Sequence, residues 1–572
     1  MKKLLPAITL ILVLSITTKA QTLWHKEYLG KPTNTSIAVQ LMFLDSAEIS
    51  VQYGTSSGVY PNQTSWQVFG DSSSAEIVIS GLTPDTKYYY RVLYRHPSTT
   101  VTTTRPEFTF HTQRPPSSTF TFVVQADPHM DNLTDTAMYR LAIKNQLEDN
   151  PDFMIDLGDF LMTDKLLNSA HVVPFDTIPY RCNMLRNRYE TESACVPIYN
   201  TIGNHEGECG WFNNGTANNY AVWDANERNK YFLNPAPDNF YTGDTSITPY
   251  VGQRKSYYAW QWGDALFIVL DAYWYTNPKP DSLHGWRWTL GKNQYDWLKT
   301  TLENSTATYK FIFAHQLIGG DTEGRGGVER ANFYEWGGEN IDSTAGFATN
   351  RPGWYKPIKD LLTEHHVNIF FHGHDHFFGK QEKDCMIYQE TPQPSMPNFS
   401  NPPNQAAVYG YLQGQILPNA GHLRLTVSPT GVQVQYVRVF LPTQETASRH
   451  NKDVSATYYI NTPNCYDSLA TGTPVLWNSN YNDELIYPNP FLQETKIEFS
   501  LLKAEKINLT IFNENGQIVR RLIAGSIVPE GKFDIIWDGK DSYGSSLAAG
   551  VYYYSIQGEI GNEKKGKVVL MK

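Results

Sequence analysis

The sequence predicts an α/β domain with an all-β sandwich at each end, and three changes of pattern predict it. Residues 23 to about 113 alternate apolar and polar side chains at period two, as in Ile37-Ala38-Val39-Gln40-Leu41 and Ala47-Glu48-Ile49-Ser50-Val51. From about 119 to 385, short apolar runs without alternation take turns with helical stretches, as expected of strands buried on both faces. The stretch 485–572 returns to short strands between turns. A chain of 572 residues has material for three or four such units.

In chain order, residues 1–20 read as a secretory signal peptide. Lys2 and Lys3 precede an apolar run from Leu4 to Thr17, and Ala20 is a small residue suited to cleavage. The run is short against the roughly 20 residues that span a bilayer, and no later segment is long and apolar enough to do so. No Cys follows it, so a lipid anchor is not expected. Residues 21–113 form the first sandwich, and Arg114-Pro115-Pro116-Ser117-Ser118 ends it. Within it, Gly81-Leu82-Thr83-Pro84-Asp85-Thr86-Lys87-Tyr88-Tyr89-Tyr90 resembles the segment of fibronectin type III modules in which a Leu and a Tyr pin a corner.

The α/β domain is expected over 119–442. Its strands are Phe120–Gln125, Phe153–Leu157, Val196–Thr201, Ala265–Leu270, Lys310–Ala314 and Val367–Phe371; its helices are Asp135–Asp149, Gln294–Asn304 and Tyr355–His365. Two insertions interrupt it, at about 207–262 and 319–353, and the Gly-rich second reads as a mobile loop near the site. A hairpin around Pro429-Thr430-Gly431 is expected to belong to a second sheet. Residues 443–484 are polar and read as a linker with little core. The unit 485–572 opens with Tyr487-Pro488-Asn489-Pro490-Phe491 and closes with Gly550-Val551-Tyr552-Tyr553-Tyr554 and Lys567-Val568-Val569-Leu570-Met571-Lys572. It resembles the Ig-like C-terminal sorting domain of proteins exported by the type IX secretion system. That resemblance implies the type IX machinery as a partner, passage through the periplasm, and a secreted or cell-surface location.

Five motifs carry the chemistry: Asp127-Pro128-His129, Gly158-Asp159, Gly203-Asn204-His205-Glu206, Ala314-His315 and Gly373-His374-Asp375-His376. Each follows an apolar run, so each sits at a strand end. Together they offer carboxylate, amide and imidazole donors for two divalent metals. Such a pair needs a shared oxygen ligand. A carboxylate can bridge and an imidazole cannot, so Asp159 is the natural bridge. Asp127 with His129, and His374 with His376, lie two apart, and an extended backbone aims both members to one side.

This order of motifs resembles the calcineurin-like metallophosphoesterase superfamily, which implies a four-layer β-sandwich flanked by helices. Carried across, one metal takes Asp127, His129, Asp159 and His376, and the other takes Asp159, Asn204, His315 and His374. A hydroxide between them attacks phosphorus in line with the leaving oxygen. His205 binds no metal; as the catalytic residue it hydrogen-bonds the phosphoryl group or protonates the leaving alkoxide, with Glu206 a candidate to orient it. The substrate is a small phosphate ester.

The β module ahead of the catalytic unit, and Gln294-Tyr295-Asp296-Trp297-Leu298, resemble the purple acid phosphatases, which implies a phosphomonoesterase. Those enzymes carry a Tyr three residues after the bridging Asp, where this chain has Met162, and they lack a His at the position of His129. A ferric-tyrosinate centre is therefore not expected; Fe, Mn and Zn all suit the donors. The alternatives are a phosphodiesterase or nucleotidase on the same metals, and a surface binding protein with an inactive hydrolase domain. A net charge of −10 without basic clusters argues against a nuclease or any nucleic-acid partner. His284 and Arg351, near the insertions, are candidates to meet substrate. Of the five cysteines, Cys182 and Cys195 are the first choice for a disulfide, and the odd count leaves a thiol over.

Overall fold

The computed structural model describes residues 22–461 and 486–571, except for 132–133, 166–171, 190–192, 322, 400–401, 502–504, 515, 530, 543 and 559–562. The expected signal peptide and much of the expected linker lie outside these residues. No helix among the described residues is long and apolar enough to cross a membrane.

The α/β unit follows from which strands are buried on both faces. Phe120–Gln125, Phe153–Asp156 and Ile198–Asn200 pair in parallel. In a second sheet Ala265–Val269, Tyr309–Phe313, Ile369–His372 and Met386–Glu390 do the same. The first sheet has six strands and the second eight. Their facing sides close one aromatic core in which Phe122, Phe153, Trp260, Phe267, Phe313 and Phe371 are all almost fully buried. Helix Thr136–Glu148, capped by the Asp135 side chain, packs Tyr139 and Ile143 on the outer face of the first sheet. Helices Lys292–Glu303 and Ile358–Glu364 pack Tyr295, Leu298 and Leu361 on the outer face of the second. The result is the four-layer helix–sheet–sheet–helix arrangement, with sheet-rich units at both ends.

Several expectations change. The hairpin Gly421–Ser428 and Gly431–Arg438 joins the first sheet, because Gly421–Ser428 pairs antiparallel with Phe120–Gln125. The expected linker contains a strand, Val454–Asn461, that pairs with Gly431–Arg438 and places Ala456, Tyr458 and Ile460 in the core. The second insertion is folded, anchored by buried Val328, Ala331 and Trp336. The first holds helix Tyr220–Tyr231 and strand Tyr258–Trp262. The bridge between Cys182 and Cys195 is not formed: Cys182 is a buried thiol on helix Thr177–Tyr189, pointing into the core, while Cys385 is disulfide-bonded.

The N-terminal unit is two sheets closed on Leu29, Ile37, Val39, Ile49, Val51, Tyr90 and Phe110. Within it Leu82 is buried, and the Tyr88 hydroxyl accepts from the Thr83 amide at 2.9 Å. The C-terminal unit pairs a three-stranded and a four-stranded sheet around Phe491, Leu509, Trp537, Tyr554 and Ile556.

Candidate metal centre

All five motifs sit past the carboxyl ends of the parallel strands, three from the first sheet and two from the second. The two sheets therefore present their loops to one shared cleft edge. The backbone is strained there. Asp127, His129, Asp159, His374 and His376 all adopt left-handed φ, between 43° and 77°. Such residues cost roughly 1–3 kcal/mol each and persist where the surroundings impose them. Crowding explains the adjacent glycines. A Cβ on Gly158 would lie 2.6 Å from the Gly203 nitrogen, and one on Gly203 would collide with the Asp159 carboxylate.

The seven expected ligands come together in two overlapping groups. In one, the His129 Nε2 lies 3.6 Å from the Asp127 Oδ1 and 3.4 Å from the Asp159 Oδ2, and the His376 Nε2 lies 3.4 Å from the Asp127 Oδ1. In the other, the His315 Nε2 lies 3.2 Å from each of the Asp159 Oδ2, the Asn204 Oδ1 and the His374 Nδ1. Asp159 Oδ2 belongs to both, as a bridge requires. Its Oδ1 is used otherwise, accepting the His205 amide at 2.9 Å. The Asp127 Oδ2 likewise accepts the His374 amide at 2.8 Å.

The residues present fit two cations. Asp127 Oδ1, Asp159 Oδ2 and His129 Nε2 are buried without a hydrogen-bond partner among the described residues, a costly state unless an ion occupies the point they share. Tautomers agree. His315 Nδ1 donates to the Leu157 carbonyl at 2.9 Å, and His374 Nε2 donates to the Glu323 carbonyl at 2.7 Å. Each bond leaves the other nitrogen with its lone pair toward the centre. The charge balance points the same way. Burial disfavours the imidazolium of His129, yet the nearness of the Asp127 and Asp159 carboxylates outweighs it and pushes the group up to about 10. Burial likewise opposes protonation of His315, and the charges of Asp159 and Asp127 raise it to about 9. The two carboxylates thus call for positive charge in their midst.

His205 stands at the edge of the centre, 17% exposed, with its Nε2 3.8 Å from the Asp159 Oδ2. Its Nδ1 lies 2.8 Å from the Asp164 Oδ2. Asp164, and not Glu206, is therefore the residue that orients this imidazole. Glu206 is fully buried and accepts the amides of Asp159, Phe160, Leu161 and Gly203, clamping two motif loops together. Asp375, between two ligands, also faces away from the centre. It accepts from Arg325 Nη1 at 2.9 Å, the Gly326 amide at 3.0 Å and the Tyr411 hydroxyl at 2.8 Å. Both the second insertion and the 402–412 segment are fastened to the ligand loop through it. Glu390 supports the same loop, accepting the Asp375 and His376 amides at 3.1 Å, with His372 Nδ1 2.8 Å from its other oxygen.

The two further candidates to meet substrate are engaged with other groups of the protein. Arg351 is consumed by Glu335 and by the carbonyls of Trp286 and Trp288. His284 pairs with Asp281 on the surface at 2.6 Å. Met162, three residues after Asp159, is buried.

Residues 120–378 match the model of the calcineurin-like phosphoesterases, a span that holds all five motifs. This segment is a calcineurin-like phosphoesterase domain. Residues 490–562 match the FlgD Ig-like domain. Among solved structures, that of PhoD is similar with a TM-score of 0.57 at 16% identity, covering 77% of this chain and 91% of that one. GAP50, the anchor in the inner membrane complex of Plasmodium, is similar at 13% identity with a TM-score of 0.33, covering 59% of this chain and 90% of that one. FlgD from Xanthomonas campestris is 26% identical over 14% of this chain and 60% of its own, with a TM-score of 0.12. At these scores only the PhoD likeness bears on the fold. No curated protein matches the chain. The domain and its donor set make the chain a metal-dependent phosphoester hydrolase.

Proposed function

We propose that the chain is an exported phosphomonoesterase. The observation that carries the chemistry is the unpartnered pair of buried oxygens, Asp127 Oδ1 and Asp159 Oδ2, ringed by imidazoles. Asp127, His129, Asp159 and His376 would hold one divalent ion, and Asp159, Asn204, His315 and His374 the other. Fe, Mn and Zn all suit these donors. When bound, such ions polarise the phosphoryl oxygens and supply a water nucleophile at neutral pH. The chain's own residues do the rest. The rigid strand ends fix the ester, and His205 Nε2 delivers a proton to the departing alkoxide oxygen. Asp164, 2.8 Å from Nδ1, holds the ring in the orientation that leaves Nε2 facing the centre. The monoester reading is supported by the β module ahead of the domain, which resembles the arrangement in purple acid phosphatases.

Asn204→Ala or His315→Ala is expected to remove most turnover of a chromogenic phosphate monoester. Near-normal rates in either variant refute the reading. One observation favours a phosphodiesterase or nucleotidase instead. Arg325, the arginine nearest the ligand loop, is already neutralised by Asp375 at 2.9 Å, so it offers little for the second charge of a monoester. Side-by-side rates on mono- and diesters decide between the two.

Export is supported by the signal-like first twenty residues and by the C-terminal match to the FlgD Ig-like domain. We read 485–572 as a type IX sorting domain and 21–113 as a fibronectin type III-like module, the latter on the Tyr88 corner. Retention in the periplasm after deletion of 485–572 is the expected result; unchanged release contradicts it.

A further inference from the structure

Beside the proton donor the surface turns aromatic. The His205 carbonyl accepts from the Thr163 hydroxyl at 3.0 Å, and that hydroxyl bonds the phenol of Tyr220. The Tyr220 ring lies directly on Gly207, two residues past His205, where any Cβ would strike it. From there the aromatic character continues in two directions. Phe212 meets Tyr220 with ring centroids 5.0 Å apart. Trp223, one turn along the same helix, meets Phe175 at 5.7 Å, edge to face. Tyr220 is buried and Trp223 half-buried, but Phe212 is 40% and Phe175 49% exposed. Phe212 and Phe175 are large rings standing in solvent, beyond what the core below them needs.

The polar groups next to this strip narrow what it fits. Asn213 and Asn214 follow Phe212 and spend their side-chain oxygens on the turn, accepting the amides of Gly215 and Thr216 at 3.0 Å. No side-chain N–H of either is donated to a partner among the described residues. An acyl chain has no use for such donors, whereas a planar ring with a polar edge uses both them and the aromatic faces.

Resting on the phosphoester reading above, we propose that Phe212, Tyr220, Trp223 and Phe175 form the leaving-group subsite, and that the preferred substrate is a phosphate ester of an aromatic alcohol. His205 gives its proton to the leaving oxygen, so the leaving group lies beside His205, and the strip is tied to that residue's loop through Thr163, Tyr220 and Gly207.

The test uses three monoesters with alkoxide leaving groups on the metal-loaded protein: benzyl phosphate, cyclohexylmethyl phosphate and glycerol phosphate. The expected kcat/KM for benzyl phosphate exceeds the other two by about tenfold or more. Phe212→Ala and Phe175→Ala, both at exposed positions, each cut that ratio severalfold, mainly through KM. Val68→Ala, at a more exposed apolar site in the N-terminal unit, leaves the ratio as it was. Binding of benzylphosphonate by calorimetry weakens in step with the ratio. Equal rates for benzyl and cyclohexylmethyl esters overturn the aromatic assignment, and an unchanged ratio in both Phe variants overturns the location. Should the protein cleave diesters and no monoester, the monoester reading fails, and the same ratio measured on benzyl and cyclohexylmethyl diesters still decides the subsite.

Discussion

The two terminal β units look alike in class and differ in how they meet the enzyme. The C-terminal unit closes its core on its own residues, from Phe491 to Leu570. The N-terminal unit has its own core too, but it also lends Tyr28, Ala38 and Met42 to a cluster shared with Met154, Ile178, Leu185, Ile198 and Phe232 of the catalytic unit. Polar contacts seal that junction. The Tyr28 hydroxyl donates to Asn200 Oδ1 at 3.1 Å, the Tyr90 hydroxyl to the Ala194 carbonyl at 2.7 Å, and Arg186 to the Lys26 carbonyl at 2.9 Å. Asn200 ends the strand that delivers Asn204 and His205. The first unit thus packs against the strand that leads into Asn204 and His205, whereas the described core of the last is made of its own residues.

Deleting residues 22–113 breaks the comparison most directly. It bares the helix Thr177–Tyr189 and one face of the first sheet, so the truncated chain is expected to lose cooperative melting and metal-dependent activity together. A stable, active remainder would erase the distinction between the two units. Next in size is Arg186→Ala. This guanidinium also bonds Gln40 Oε1 at 3.1 Å and lies 4.5 Å over the Tyr28 ring. Its removal strands buried carbonyls, and a loss of about 2–4 kcal/mol is expected in denaturant unfolding. A change below about 0.5 kcal/mol means that the junction carries no weight.

A smaller effect tests the same junction through pH. His25 is buried against Trp24 and Tyr231. Burial, reinforced by the charge of Arg186, lowers it from 6.5 to about 3. Between those values the unfolded chain binds one proton more than the folded one, so this contribution is present above pH 6.5 and lost as pH falls toward 3. His25→Leu is therefore expected to flatten the fall of the melting temperature between pH 6.5 and 4. An unchanged slope shows that His25 is not neutral when folded.

The candidate metal centre was legible in the sequence because its motifs are local. Each ligand follows a strand readable as an apolar run, and seven of seven expected donors meet. What the sequence hid was set by distant partners. Asp164 carries no motif; only the fold brings it 2.8 Å from His205, forty-one positions away. Asp375 sits inside a ligand motif, yet its role depends on Arg325 and Tyr411. Helix Thr177–Tyr189 escaped notice because its buried face includes Arg181 and Arg186, which blur an apolar stripe. The same helix explains the failed disulfide: thirteen residues of separation said nothing about Cys182 pointing into a core. Strand Val454–Asn461 read as linker because it is an edge strand with one face outward and no turn signal to announce its pairing.

The smallest effect is expected at the other end. Residues 486–571 share no core cluster with the catalytic unit among the described residues, so deleting 485–572 removes no support from the strands that carry Asp127, Asp159, Asn204 or His315. Metal content and kcat/KM on the preferred ester are expected to stay within about twofold, and the catalytic melting transition to stay within about 0.5 kcal/mol, the range of surface changes that touch no special feature. The measurement is a melting curve with paired kinetics on the same preparations. If activity falls tenfold while the fold survives, the C-terminal unit takes part in the centre, and the contrast between the two β units is one of degree alone.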